Sequence, residues 1–205
     1  MISIANTMKH ITTSLIVFLS ILITSSSFSQ EVQKIKWLTW NEAIEQQKKD
    51  LKIFNETGEG VEKVPPKKIF LDVYTSWCGW CKRMDATTFS DPTIIQIMNQ
   101  YFYPVKMDAE MKENIVFNDH TFINPNPEGK RSTHQFAASI LDYGLSYPSY
   151  VLLDENTNRL TIYKGYKQVD DLLGILLFFG KNQHLSYKQG IEKQIELQNS
   201  QQSGQ

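Results

Sequence analysis

The sequence predicts an α/β fold: a central mixed β-sheet flanked by helices. Three observations predict it. Strand-type and helix-type segments alternate along residues 34–180. Ile69-Phe70-Leu71-Asp72-Val73-Tyr74 is a near-continuous apolar run, the pattern of a strand covered on both faces. The helix after it opens on the only two cysteines of the chain, in Thr75-Ser76-Trp77-Cys78-Gly79-Trp80-Cys81-Lys82.

The elements follow in order. Residues 1–29 read as a secretory signal peptide. Lys9 and His10 precede the apolar run ITTSLIVFLSILIT, and no acidic residue occurs before Glu31. Ser27-Phe28-Ser29 offers small residues for cleavage after Ser29. The run is short for a membrane anchor, which needs about 20 apolar residues, and no cysteine at the cut could carry a lipid. The domain is expected over residues 30–198, with a disordered tail at 199–205. Lys34 to Thr39 alternates like a half-buried strand, and Thr39 is a candidate N-cap for a helix from Trp40. Residues 55–66 read as a loop.

After the cysteines, Lys82 to Phe89 has helical character. Ser90-Asp91-Pro92 starts another helix with a cap and an early proline. Tyr103 to Asp108 is the next strand. Asn118-Asp119-His120 between two short apolar runs predicts a hairpin, and residues 124–129 a loop. Helix is expected from Thr133 to Tyr143, strands at 150–153 and 160–163, an apolar helix at 169–179 and an extra C-terminal helix at 187–197.

Composition narrows the function. The chain has 21 basic and 22 acidic residues, for a net charge of −1. This balance does not suggest a nucleic-acid binder, and no block of like charge suggests a membrane-surface patch. The cysteine pair has four readings. A structural zinc site needs four ligands, yet there is no second cysteine pair, and His120, His134 and His184 lack finger spacing; no metal is expected. A c-type haem would need histidine at position 82, which is lysine. A structural staple across so short a loop restrains little of the unfolded chain. Redox exchange remains. A cysteine at a helix N-terminus meets unpaired N–H groups and the helix dipole, which favour its thiolate. His120 and His134 read as surface residues rather than ligands, and Trp37, Trp40, Phe178 and Phe179 as core.

The run from Ile69 to Glu110 resembles the thioredoxin-like group that includes the C-terminal periplasmic domain of the disulfide reductase DsbD. The resemblance is carried by Trp77 to Lys82 and by Thr88-Phe89-Ser90-Asp91-Pro92. It resumes at Gly144 to Asp154 and at Tyr163-Lys164-Gly165-Tyr166. It implies a thioredoxin fold, with a β-hairpin and loop insertion at about 111–131 placed before a cis-proline segment. It further implies that Cys78 is the nucleophile and Cys81 the resolving thiol. Pro148 matches the cis-proline, and Tyr147 the residue whose backbone pairs with substrate. Trp77 matches the tryptophan beside the active site, Asp72 a buried acid that assists proton transfer, and Lys106 its neighbour. Gly79 and Trp80 form the dipeptide between the cysteines; an aromatic there can meet substrate or cover the helix start.

The expected function is extracytoplasmic thiol–disulfide exchange with client proteins, as a reductase in the periplasm or another exported location. It would use no cofactor beyond the Cys78–Cys81 disulfide. A monomer is expected, fed by a separate membrane-bound electron donor. The alternatives are a disulfide oxidase or isomerase, or a non-catalytic module that binds clients or Cu(I).

Overall fold

The computed structural model describes residues 34–58 and 62–202; the expected leader lies outside them. Thr39 opens helix α1 (Trp40–Glu56) with a capping box. Its hydroxyl accepts from the Glu42 amide, and Glu42 accepts from the Thr39 N–H at 2.7 Å. The apolar run forms strand β1 (Lys68–Tyr74), whose residues are buried as far as Val73. Helix α2 (Gly79–Ala86) follows, then a 3-10 turn at Thr88–Ser90. Helix α3 (Pro92–Tyr101) starts at Asp91, whose carboxylate accepts from the amides of Thr93 and Ile94 at 2.9 and 3.1 Å. Pro92 fits the first turn because its missing N–H would have had no helical partner.

Strand β2 (Phe102–Asp108) leads to a hairpin of β3 (Ile115–Phe117) and β4 (His120–Phe122). Then come α4 (Gln135–Ile140), β5 (Ser149–Leu153), β6 (Arg159–Lys164), α5 (Val169–Gly180) and α6 (Gln183–Gln202).

The main sheet has the order β2-β1-β5-β6. β1 and β2 are parallel, while β5 runs antiparallel to both β1 and β6. Successive side chains of a strand point to opposite faces, which divides the apolar residues of β1 between two cores. Ile69, Leu71 and Val73 pack with Trp40 and Ala43 of α1 and with Phe136 and Ile140 of α4. Phe70 packs with Met84 of α2, Ile94 and Met98 of α3, and Leu172 and Leu176 of α5. This sheet with helices on both faces is the thioredoxin fold.

Four segments differ from the sequence expectation. Residues 34–39 do not form a strand. Only Leu38 bridges to Val105, through Leu38 N to Pro104 O at 2.8 Å and Lys106 N to Leu38 O at 3.2 Å. The helix expected from Thr133 to Tyr143 shrinks to Gln135–Ile140, because Asp142 and Tyr143 take positive φ values of 52° and 58° and turn the chain. The last helix is longer than expected and reaches Gln202, four residues into the segment expected to be a disordered tail. His134 is buried rather than at the surface. It caps α4, with Nδ1 accepting from the Phe136 amide at 3.1 Å, and burial lowers its pKa.

The hairpin forms its own two-stranded sheet and does not extend the main one. Its turn residues Asn118 and Asp119 sit at φ 50° and 59°, a region that Asn and Asp tolerate. Phe117 and Phe122 lay their rings against Trp40 and Phe136, with centroids 5.2–5.9 Å apart. The loop behind it is tied down by Asn124. The Asn124 amide donates to the carbonyls of Glu110, Met111 and Ser132 at 3.2, 3.1 and 2.9 Å. The insertion is thus packed onto the α1/α4 side of the core, and its end is held close to the cysteine pair.

Candidate redox site

Cys78 is the N-cap of α2, and Cys81 lies one turn into the helix. They form a disulfide with Cα atoms 5.3 Å apart. The Cys78 amide donates to Thr75 O at 3.1 Å, which fixes the turn out of β1. The Cys81 amide points at Cys78 Sγ at 3.1 Å, and Lys82 N donates to Cys78 O at 3.2 Å. When the bond is reduced, the same helix-terminal amide is placed to stabilise a Cys78 thiolate. Both cysteines are 4–5% exposed. Trp77 and Trp80 beside them are 49% and 57% exposed. A Cβ added at Gly79, between the two, would meet nothing within 4 Å beyond its chain neighbours.

Each indole is held from another part of the chain. Trp77 donates through Nε1 to Glu110 at 2.9 Å, stands edge-on to Tyr147 at 6.0 Å, and carries the Arg131 guanidinium on its face at 4.9 Å. Trp80 lies 5.6 Å from Tyr166, with the Arg83 guanidinium 5.7 and 5.8 Å from the two rings. Cation–π contacts of this kind at exposed positions contribute about 0.5–1 kcal/mol each.

The Tyr147–Pro148 peptide bond is cis. The β1–β5 register pairs Val73 with Ser149, so Pro148 falls level with Tyr74, at the end of β1 that leads to Cys78. Pro148 O accepts from Gly165 N at 2.9 Å. Gly165 sits at φ 78°, where a side chain would be strained. Among the described residues, neither the amide nor the carbonyl of Tyr147 has a main-chain partner.

Beneath the cysteine turn, Asp72 and Lys106 are register partners across the parallel β1–β2 pair. They also share the face occupied by Phe70. Asp72 is 1% exposed. Its Oδ2 lies 3.2 Å from Lys106 Nζ, and its Oδ1 has no hydrogen-bond partner among the described residues. Burial raises the Asp72 carboxyl to about 6 against the pull of Lys106, because desolvation outweighs the ion pair. Burial alone would lower Lys106, but the carboxylates of Asp72 and Asp85 more than reverse it and leave it raised. The Lys106 ammonium also lies 4.8–5.4 Å from the rings of Trp37, Tyr74 and Phe89.

Every site residue expected from the sequence therefore falls at one end of the sheet or directly beneath it. The structure adds Glu110, Arg131, Arg83 and Tyr166 around the indoles and Asp85 beside Lys106. Asp85 is four residues after Cys81, a spacing that puts both on one helix face and could have drawn notice. Arg131 carried no local signal, since only the folded insertion brings it to Trp77.

Fold and site together define a thioredoxin-like protein with a cysteine pair of the disulfide oxidoreductase type. The chain belongs to the Thioredox_DsbH family, described as a protein of unknown function (DUF255), whose sequence profile matches residues 21–124. No curated protein matches the chain. Among solved structures it is similar to a thioredoxin-fold protein from Helicobacter pylori, with 16% identity, 58% of this chain and 72% of the other covered, and a TM-score of 0.46. A thioredoxin from Thermus thermophilus aligns at 14% identity over 70% of this chain and 85% of its own, with a TM-score of 0.46. The reduced C-terminal domain of DsbD from Neisseria meningitidis aligns at 18% identity over 66% and 92%, with a TM-score of 0.40.

Proposed function

We propose that the protein is an exported thiol–disulfide reductase that acts on disulfides of client proteins. The observation that carries this reading is the Cys78–Cys81 disulfide at the start of α2, the helix whose Asp85 shares Lys106 with the buried Asp72. In the reduced protein the Cys78 thiolate attacks one sulfur of a client disulfide. The client S–S bond breaks, a Cys78–client bond forms, and the first client sulfur leaves as a thiolate that takes up a proton. Asp72 then accepts the Cys81 proton, directly or through water. The Cys81 thiolate attacks Cys78 Sγ, closing the internal disulfide and expelling the second client sulfur, which also takes up a proton. Two electrons pass from the cysteine pair to the client. Trp77, Gly79 and Trp80 line the approach, Lys106 steadies Asp72, and the unpaired main chain of Tyr147 pairs with the client segment. The reading needs no group beyond the two thiols.

Export rests on the leader read at residues 1–29. No helix among the described residues is long and apolar enough to cross a membrane. We assign the electrons that regenerate the dithiol to a separate membrane-bound donor, as an exported reductase works in an oxidising compartment. The test is Cys81→Ser in cells that export the protein. The expected result is client proteins trapped on Cys78 as mixed disulfides that dithiothreitol releases. A client-binding module without exchange would instead hold the same clients when both cysteines are serine.

A further inference from the structure

The Lys106 ammonium is shared by two carboxylates that differ in their surroundings. Its hydrogen bond goes to Asp85 Oδ1, from the helix that carries the cysteines. Asp72 Oδ2, from the strand beneath, lies within hydrogen-bond reach of the same ammonium at 3.2 Å, and Asp72 Oδ1 has no partner among the described residues. Asp85 is exposed and Asp72 is buried. A lysine turned fully toward Asp72 would neutralise it and make it a poor proton acceptor. A lysine shared with the exposed carboxylate leaves the buried one more basic.

We propose that Asp85 is a positioning residue: by sharing the Lys106 ammonium it weakens the lysine's hold on Asp72 and keeps Asp72 basic enough to accept the proton of Cys81. The inference deepens the reductase reading and rests on it for its purpose, but not for its test. The charged and titratable groups that meet Asp72 or its partner are Lys106 from β2, Asp85 from α2, Tyr150 from β5 and Tyr74 from β1 itself. Tyr150 stands opposite Asp72 in the strand register, and burial raises its hydroxyl, so it stays neutral where Asp72 titrates. Asp85 is thus the one group of this set that can draw the ammonium off Asp72. The negative charge of Asp85 acts in the same direction, raising Asp72.

The test is a carbon-13 titration of the Asp72 side-chain carboxyl in the disulfide form of the chain, with Asp85→Asn and Asp85→Glu beside the natural sequence. In Asp85→Asn the lysine turns to Asp72, and the Asp72 midpoint falls by about 1 pH unit, the size of effect a freed neighbouring cation produces. Asp85→Glu restores the higher midpoint. An unchanged Asp72 midpoint in Asp85→Asn overturns the proposal. Asp85 is exposed, so its replacement leaves the core intact; Asp85→Ser provides a second neutral variant. The titration requires neither client nor exchange, so its outcome is separate from that of the reductase reading. If exchange does occur, the lower limb of its pH–rate profile in Asp85→Asn moves to lower pH with the Asp72 midpoint. A purely structural role for Asp85 would change stability and leave both pH readouts in place.

Discussion

Cys78→Ser reduces the catalysed reduction of a model protein disulfide to the rate of the supplied reductant alone. The hydroxyl that replaces the thiol does not ionise near neutral pH and does not attack disulfide sulfur. Cys78 is also the sulfur that sits at the N-cap of α2, beside the exposed indoles of Trp77 and Trp80. Cys81, one turn further along the helix, does not take over the first attack. The substitution is not expected to unfold the protein. The lost disulfide spans two intervening residues, so it restrains the unfolded chain little. The activity assay is therefore paired with far-ultraviolet circular dichroism, in which the Cys78→Ser spectrum should match that of the natural sequence. Residual catalysis well above the reductant background would contradict the assignment of Cys78 as nucleophile.

Asp72→Asn stabilises the protein, and the gain grows with pH. The Asp72 carboxyl titrates near 6 in the fold and near 3.8 in the unfolded chain. Its folded pKa is raised, so the folded state holds the proton more tightly. The ionisation penalty is absent below the unfolded value, grows as pH rises through the interval between the two values, and is complete above the folded one. Asparagine cannot ionise and escapes it. The stability difference between variant and natural sequence, read from urea denaturation, is therefore greater at pH 8 than at pH 4 by about 2 kcal/mol. Taking the difference between two pH values removes the constant cost of exchanging carboxyl for amide. Lys106 retains Asp85 as a partner in the variant. The same variant slows release of the second client sulfur at neutral pH, because the resolving thiol has lost its proton acceptor. A stability gain independent of pH would show that Asp72 is not held near 6 by burial.

The parts of this fold that could be read from the sequence are those whose cause is local. The apolar run at β1 indicates burial on both faces wherever it occurs, and Asp91-Pro92 marks a helix start by its own hydrogen-bonding chemistry. Asn118-Asp119 marks a turn because few residues accept its backbone geometry. The cysteine pair gained its meaning from position, after a buried strand and at the opening of a helix. The misread elements depend on distant partners. Lys34 to Thr39 has the alternation of a strand, yet strand structure needs a neighbour in register, and only Leu38 meets one. Thr133 to Tyr143 has helical apolar spacing, yet positive φ values at Asp142 and Tyr143 end the helix early.

The same distinction runs through the site. Asp72 and Lys106 could be paired from the resemblance, and the β1–β2 register gives the reason: they are direct partners across the strands. His134 is buried by tertiary packing, which its neighbours in the sequence do not signal. Arg131 and Glu110 are brought to Trp77 by the folded insertion, whose loop is tied down by the hydrogen bonds of Asn124. Those contacts set the direction of side chains, which sequence spacing alone does not specify.

The reading of this protein as a reductase rests on a reversible cysteine couple poised toward electron donation. The measurement that tests it most directly is the reduction potential of Cys78–Cys81, by equilibration with glutathione and dithiothreitol buffers. The predicted result is a single two-electron couple near the thioredoxin value of about −270 mV. A couple near about −120 mV, the value of the strong oxidant DsbA, would contradict the reductase direction. Absence of a reversible couple would contradict thiol–disulfide exchange altogether.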